Sequence, residues 1–211
     1  MVINKIQLLL VSLLSLISMA MVNGQEDKKS DNKTSPMEEI DFKDETDKVK
    51  WRTVNDSVMG GRSQGSSFLT EAENRIFSGE ISLKNNGGFS SVRTVGAEYD
   101  LSDYEGVTVK VRGDGRKYYF TARANNRSRV AFWYDMQTKA GELTTFKIPF
   151  SSLYATSFGT KLNGMKLNSK NITSFGLMLY DKNDGEFNLE LVSVKVYGNT
   201  SNRKQEKRQV K

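Results

Sequence analysis

Along most of this chain the apolar residues return at every second position, and that period constrains the fold more than any motif does. Val107, Val109 and Val111 alternate with Thr108, Lys110 and Arg112; Phe175, Leu177 and Leu179 repeat the pattern, as do Phe187, Leu189 and Leu191. A side chain that points the same way every second residue belongs to an extended strand with one buried face, whereas a helix needs apolar residues three and four apart. Further strands are predicted around Ile81 and Leu83, over residues 118–124, 130–136 and 143–150. Glycine-bearing breaks separate them at Asn85-Asn86-Gly87-Gly88, Gly113-Asp114-Gly115 and residues 181–185. The Asp-Gly pairs predict tight hairpins at 113–115 and 181–185. In the last strand the apolar phase slips from Leu191 to Val192, Val194 and Val196, as a β-bulge or burial on both faces would produce. Eight or more short strands with such turns predict an all-β sandwich.

Composition removes most catalytic options. Among 211 residues there is no His and no Cys, so there is no imidazole base, no thiolate nucleophile, no Ser-His-Asp triad and no Cys-based zinc site. A carboxylate pair is the remaining route to hydrolysis, and no spacing among Asp114, Asp135, Asp181 and Glu186 sets one up. The run from Asp181 to Glu186 does not follow a calcium loop either, because glycine stands fifth, at Gly185, and Val192 stands twelfth. No enzyme activity, cofactor or metal is therefore expected. The net charge is +6, but five of the 31 Lys and Arg lie in residues 199–211, so a nucleic-acid groove on the folded surface is not expected.

Residues 1–24 read as an export signal: Lys5 precedes an almost wholly apolar stretch to Val22, with small residues around Ala20 and Gly24. Cleavage would leave no stable membrane span and an exported, periplasmic or extracellular protein. Residues 25–39 read as a disordered charged linker and 199–211 as a disordered basic tail. The domain is expected over 40–198, with residues 40–42 as a candidate first strand.

Three ordered segments carry a family likeness. They are Trp51-Arg-Thr-Val-Asn-Asp-Ser-Val-Met-Gly-Gly-Arg-Ser63, Phe77-Ser-Gly-Glu-Ile-Ser-Leu-Lys-Asn-Asn-Gly-Gly-Phe-Ser-Ser-Val-Arg93 and Val111-Arg-Gly-Asp-Gly-Arg-Lys-Tyr118. Together they resemble the complex I intermediate-associated protein 30 family over residues 40–197. The resemblance implies a jelly-roll sandwich similar to galactose-binding domains and a non-catalytic assembly role with a protein partner or membrane complex. The secretory-looking leader departs from the mitochondrial pattern. An exported glycan-binding module is the alternative reading.

Two sets of candidate site residues follow. The family-motif loops offer Asn55, Asp56, Met59, Gly60 and Gly61, then Asn86, Gly87 and Gly88, as a backbone cradle. The bland alternatives are a turn in which Asp56 bonds its own backbone, and a turn that returns Phe89 to the core. The second set comes from strand faces. If Phe120, Ala122 and Phe132, Tyr134, Met136 point inward, then Tyr119, Arg123, Trp133 and Asp135 share an outer face. An aromatic plane beside Arg and Asp is the chemistry of sugar recognition; the alternative is a packed Trp133 and an Arg123–Asp135 surface ion pair.

Overall fold

The structure, a computed structural model, describes Ile40 and residues 50–125 and 129–198. The leader, the charged linker, the basic tail and residues 41–42 of the candidate first strand lie outside the described residues. Twelve strands follow in order: β1 (Lys50–Asn55), β2 (Gln64–Leu69), β3 (Arg75–Ile81), β4 (Ser90–Val95), β5 (Gly106–Arg112), β6 (Lys117–Ala124), β7 (Val130–Gln137), β8 (Leu143–Pro149), β9 (Tyr154–Ser157), β10 (Thr160–Lys161), β11 (Ile172–Leu179) and β12 (Gly185–Tyr197). They form two antiparallel sheets, one of seven strands in the order β1-β4-β11-β6-β7-β9-β10 and one of five in the order β2-β3-β12-β5-β8. This is the all-β sandwich that the alternation predicts.

The core lies between the sheets. Val107, Val109 and Val111 of β5 and Phe187, Leu189 and Leu191 of β12 meet Phe120 and Ala122 of β6 and Phe175, Leu177 and Leu179 of β11. Aromatic pairs close the layer, with Phe77 and Phe187 ring centroids 4.8 Å apart and Phe120 and Phe175 5.4 Å apart. Ile40 joins this core, and its amide donates to the Val194 carbonyl at 3.0 Å. The phase slip in β12 is a bulge: its register against β5 shifts between Leu191 and Ser193, so Leu191 and Val194 both face inward.

Both predicted hairpins are instead crossovers between sheets. Strand β5 pairs with β12 and β8, and β6 pairs with β11 and β7, so residues 113–116 carry the chain from one sheet to the other. Residues 180–184 likewise cross from β11 to β12. The reason is edge availability, since both hydrogen-bonding edges of all four strands are already occupied.

The two crossovers are clamped together by Arg116. Its guanidinium grips Asp181 through both carboxylate oxygens, at 3.0 and 2.7 Å, and donates to the carbonyls of Asn183, Gly185 and Glu186. The oxygen-rich segment that superficially suggests a calcium loop thus converges on a guanidinium. Asp114 is equally committed, accepting from the Tyr118 hydroxyl and the Asn188 amide, each at 2.8 Å. The Arg112-Gly113-Asp114 tripeptide is therefore a structural corner.

Candidate functional site

Asp56 organises the first family motif. It opens a short 3-10 turn (Asp56–Met59) and is fully buried. Its carboxylate does not bond its own backbone. It accepts instead from the amide and hydroxyl of Ser63, from the Gly88 amide at 2.6 Å and from the Phe89 amide at 3.3 Å. Burial alone would raise its pKa, but these four hydrogen bonds outweigh that and hold it below the usual carboxylate value. The glycines around it are explained by contact: a Cβ on Gly61 would lie 2.3 Å from the Asp56 carboxyl carbon, and one on Gly87 2.5 Å from its Oδ2. Asn55 is structural too, exchanging hydrogen bonds with the Gly65 backbone and accepting from the Ser90 hydroxyl at 2.6 Å. Asn55 and Asp56 therefore spend their polar groups inside the fold, on neighbouring backbone and serine hydroxyls. Gly60 takes the left-handed conformation that ends the 3-10 turn, and its carbonyl accepts from Asn85.

What this knot presents is apolar. Val58 and Met59 stand 70% and 63% exposed at the tip of the turn, above the outer face of the seven-stranded sheet. Register defines that face. One row runs Arg52, Arg93, Gly176, Thr121, Trp133, Tyr154, and the next runs Val54, Ser91, Met178, Tyr119, Asp135. Over these rows lies a cleft of about 650 Å³, lined by Val58, Met59, Asn86, Gly87, Phe89, Arg93, Arg123, Arg129, Trp133, Phe158 and Tyr180 among others. It continues past Trp133 and Tyr180 into a second hollow of about 690 Å³ beside Asp135, Tyr154 and Lys117. Phe158 forms the opposite rim, 80% exposed on a turn where its own φ is +48°, a conformation bulky residues rarely adopt.

All four strand-face candidates lie on this trough, as alternation predicts, but their arrangement differs from the expectation. Tyr119 and Trp133 are only 8% and 7% exposed, their rings 4.9 Å apart, with Tyr180 edge-on to Trp133 at 6.2 Å. Lysines cover neighbouring rings: Lys117 lies over Tyr119, Lys161 over Tyr154 and Lys182 over Tyr180. The aromatics therefore form a floor rather than an open stacking plane. Arg123 and Asp135 are not an ion pair. Asp135 takes Lys117 at 3.2 Å and the Tyr154 hydroxyl at 2.6 Å, whereas Arg123 sits at the other end beside Arg93. Phe89 lines the trough and is only half-buried, so it does not return to the core.

Arg93, Met178 and Tyr180 escaped the sequence reading although the signal was present. Inward Val92 and Thr94, and inward Leu177 and Leu179, put their neighbours on the outer face. Nothing in the sequence marks Phe158, whose position depends on the turn between β9 and β10. Among the described residues there is no cluster of three or more His, Cys, Asp or Glu that could hold a metal ion, and no helix is long and apolar enough to cross a membrane.

The sequence profile of the complex I intermediate-associated protein 30 family matches residues 40–191. The chain is 29% identical over 181 residues to the mitochondrial complex I intermediate-associated protein 30 of Mus musculus, covering 74% of this chain and 54% of that protein. It is 28% identical over 182 residues to the Drosophila melanogaster counterpart, covering 72% and 60% respectively. The chain thus spans little more than half the length of these relatives. In structure it is similar to the family 11 carbohydrate-binding module of Clostridium thermocellum in complex with a β-1,3-1,4-mixed-linked tetrasaccharide. That likeness has a TM-score of 0.53 at 14% identity and covers 76% of this chain and 95% of the module. A likeness at that identity establishes a shared fold.

Proposed function

Because this chain belongs to the complex I intermediate-associated protein 30 family, we propose that its sandwich is a protein-interaction module of assembly-factor type, holding a partner in the trough of the seven-stranded sheet. It is a binding domain, not an enzyme. The observation that carries the reading is the rim: Val58, Met59 and Phe158 are large apolar side chains, each more than 60% exposed, and all border one cleft. Water-exposed apolar groups gathered around a groove gain most by being covered, and exposed aromatics beside arginine are the usual anchors of protein interfaces. The relatives' names associate them with complex I intermediates. The leader over residues 1–24 leads us to place this chain's partner outside the cytosol, where a protein or membrane complex other than a matrix intermediate would meet it.

A second reading, an exported glycan-binding module, is favoured by the aromatic floor beside Asp135 and by the carbohydrate-binding neighbours in fold. Two features count against it: the floor rings are buried, and lysines lie over three of the trough's tyrosines.

The readings separate experimentally. Quantitative pull-down from solubilised membranes of the source organism should recover a defined protein set with the parent chain. A Met59→Ser/Phe158→Ser variant should lose it roughly thirtyfold, the equivalent of about 2 kcal/mol for a lost anchor. Both residues are exposed, so folding should be unaffected, as circular dichroism would show. Retention on a glycan array, abolished by Trp133→Ala with recovery of the same proteins unchanged, would replace this reading with the glycan one.

A further inference from the structure

At the cation end of the trough, Arg93 and Arg123 have no carboxylate partner among the described residues. Arg52 and Arg93 are directly opposite one another on β1 and β4. Gly176 separates Arg93 from Thr121, and Arg123 lies two residues further along β6. Like charges at opposed positions of a sheet repel, so this arrangement costs the fold stability. Arg93 and Arg123 are half-buried, and their side chains make no hydrogen bond or ion pair with any described residue. Burial, and then the neighbouring arginine, lower the pKa of each. Among the described residues the cleft around them includes Arg129 and Lys182 and no Asp or Glu. The two carboxylates of the adjoining hollow are already occupied, Asp135 by Lys117 and Tyr154, and Asp181 by Arg116. Among the described residues, then, no anion meets Arg93 or Arg123.

We propose that Arg93 and Arg123 are the specificity residues of the trough, and that they recognise the carboxylates of an acidic partner segment whose apolar side chains meet Val58, Met59 and Phe158. This rests on the reading of the trough as a protein-docking site and supplies the chemistry of the occupant. Guanidinium groups suit carboxylates because their planar forks match the two oxygens. An acidic polysaccharide would satisfy the arginines as well, but it leaves the three exposed apolar side chains uncovered. A protein segment satisfies both.

The test uses the full chain with a short labelled peptide of repeated Glu-Glu-Phe-Leu units, the same peptide with Gln for Glu, and a heparin fragment. The Glu peptide should bind, more weakly as salt rises. Arg93→Gln/Arg123→Gln should reduce its affinity at least about tenfold, and the Gln peptide should bind the parent equally poorly. The double variant should melt no lower than the parent, because removing facing like charges relieves repulsion. A variant that melts lower would show that the arginines support the fold, which overturns the premise. Equal binding of the Glu and Gln peptides, both lost in Met59→Ser/Phe158→Ser, would overturn the acidic specificity while leaving the docking function intact. Arginine-dependent binding of heparin without either peptide, or no binding of any probe, would overturn the proposal.

Discussion

Asp56→Ala is expected to lower the unfolding free energy by about 3–5 kcal/mol, one of the two largest single-residue effects in this domain. The substitution removes four hydrogen bonds to a charged acceptor at a fully buried position. It leaves the amides of Ser63, Gly88 and Phe89 facing a cavity. Asp56→Asn should cost less but still about 1–3 kcal/mol, since its amide group turns a donor toward donors. Urea denaturation monitored by tryptophan fluorescence would measure both. The charge adds a pH signature. Asp56 has a folded-state pKa below its unfolded value near 3.8, so its stabilisation is complete above that value and is lost as pH falls through the folded one. The parent should therefore lose stability below about pH 4 more steeply than Asp56→Asn. Parallel acid limbs would mean that this carboxylate is not ionised in the fold. Because Val58 and Met59 ride on the turn that Asp56 opens, the alanine variant should also bind partner more weakly.

Arg116→Ala is expected to destabilise the fold by a similar amount, about 3–5 kcal/mol. The guanidinium and the Asp181 carboxylate are 14% and 6% exposed, and removing one leaves the other charged, largely desolvated and without its partner. It also frees the carbonyls of Asn183, Gly185 and Glu186 on the second crossover. Arg116→Lys should recover less than half of the loss, because a single ammonium cannot reproduce a two-pronged grip on Asp181 together with three carbonyl contacts. Thermal or urea unfolding of Arg116→Ala, Asp181→Asn and the double variant gives the coupling energy. A double variant as destabilised as the sum of the two singles would show that the clamp is not cooperative. Asp181 is held below the usual carboxylate value, its hydrogen bonds from Arg116 and Asn183 overcoming a burial that would raise it. Its contribution, like that of Asp56, is present above the unfolded pKa and disappears in acid.

Faces were legible in the sequence and contacts were not. Alternation placed Tyr119, Arg123, Trp133 and Asp135 on one outer surface, and register bears this out. It could not show that Trp133 and Tyr119 would cover each other, or that Arg123 would neighbour Arg93 instead of Asp135. Those outcomes depend on which strand lies alongside, and β11 inserts Gly176 between Arg93 of β4 and Thr121 of β6 although it follows both far along the chain. The family-motif loops show the same division. Their glycines were recognisable as close-approach positions, yet the group that approaches is Asp56, which joins the two loops across 32 residues.

From the sequence alone came the positions and faces of β5, β6, β7, β8, β11 and β12, the irregularity in β12 and the absence of imidazole and thiol chemistry, whereas β1, β2, β4, β9 and β10 carried no alternation that marked them. Each is a property of neighbouring residues or of composition, and a side-chain period of two needs no knowledge of the partner strand. Sheet membership, the crossovers at 113–116 and 180–184, the Arg116 clamp and the grouping of Arg52, Arg93 and Arg123 were decided only in three dimensions. An Asp-Gly turn looks the same locally whether the next strand pairs beside the last one or crosses the core. Which happens depends on which hydrogen-bonding edges distant strands have left open.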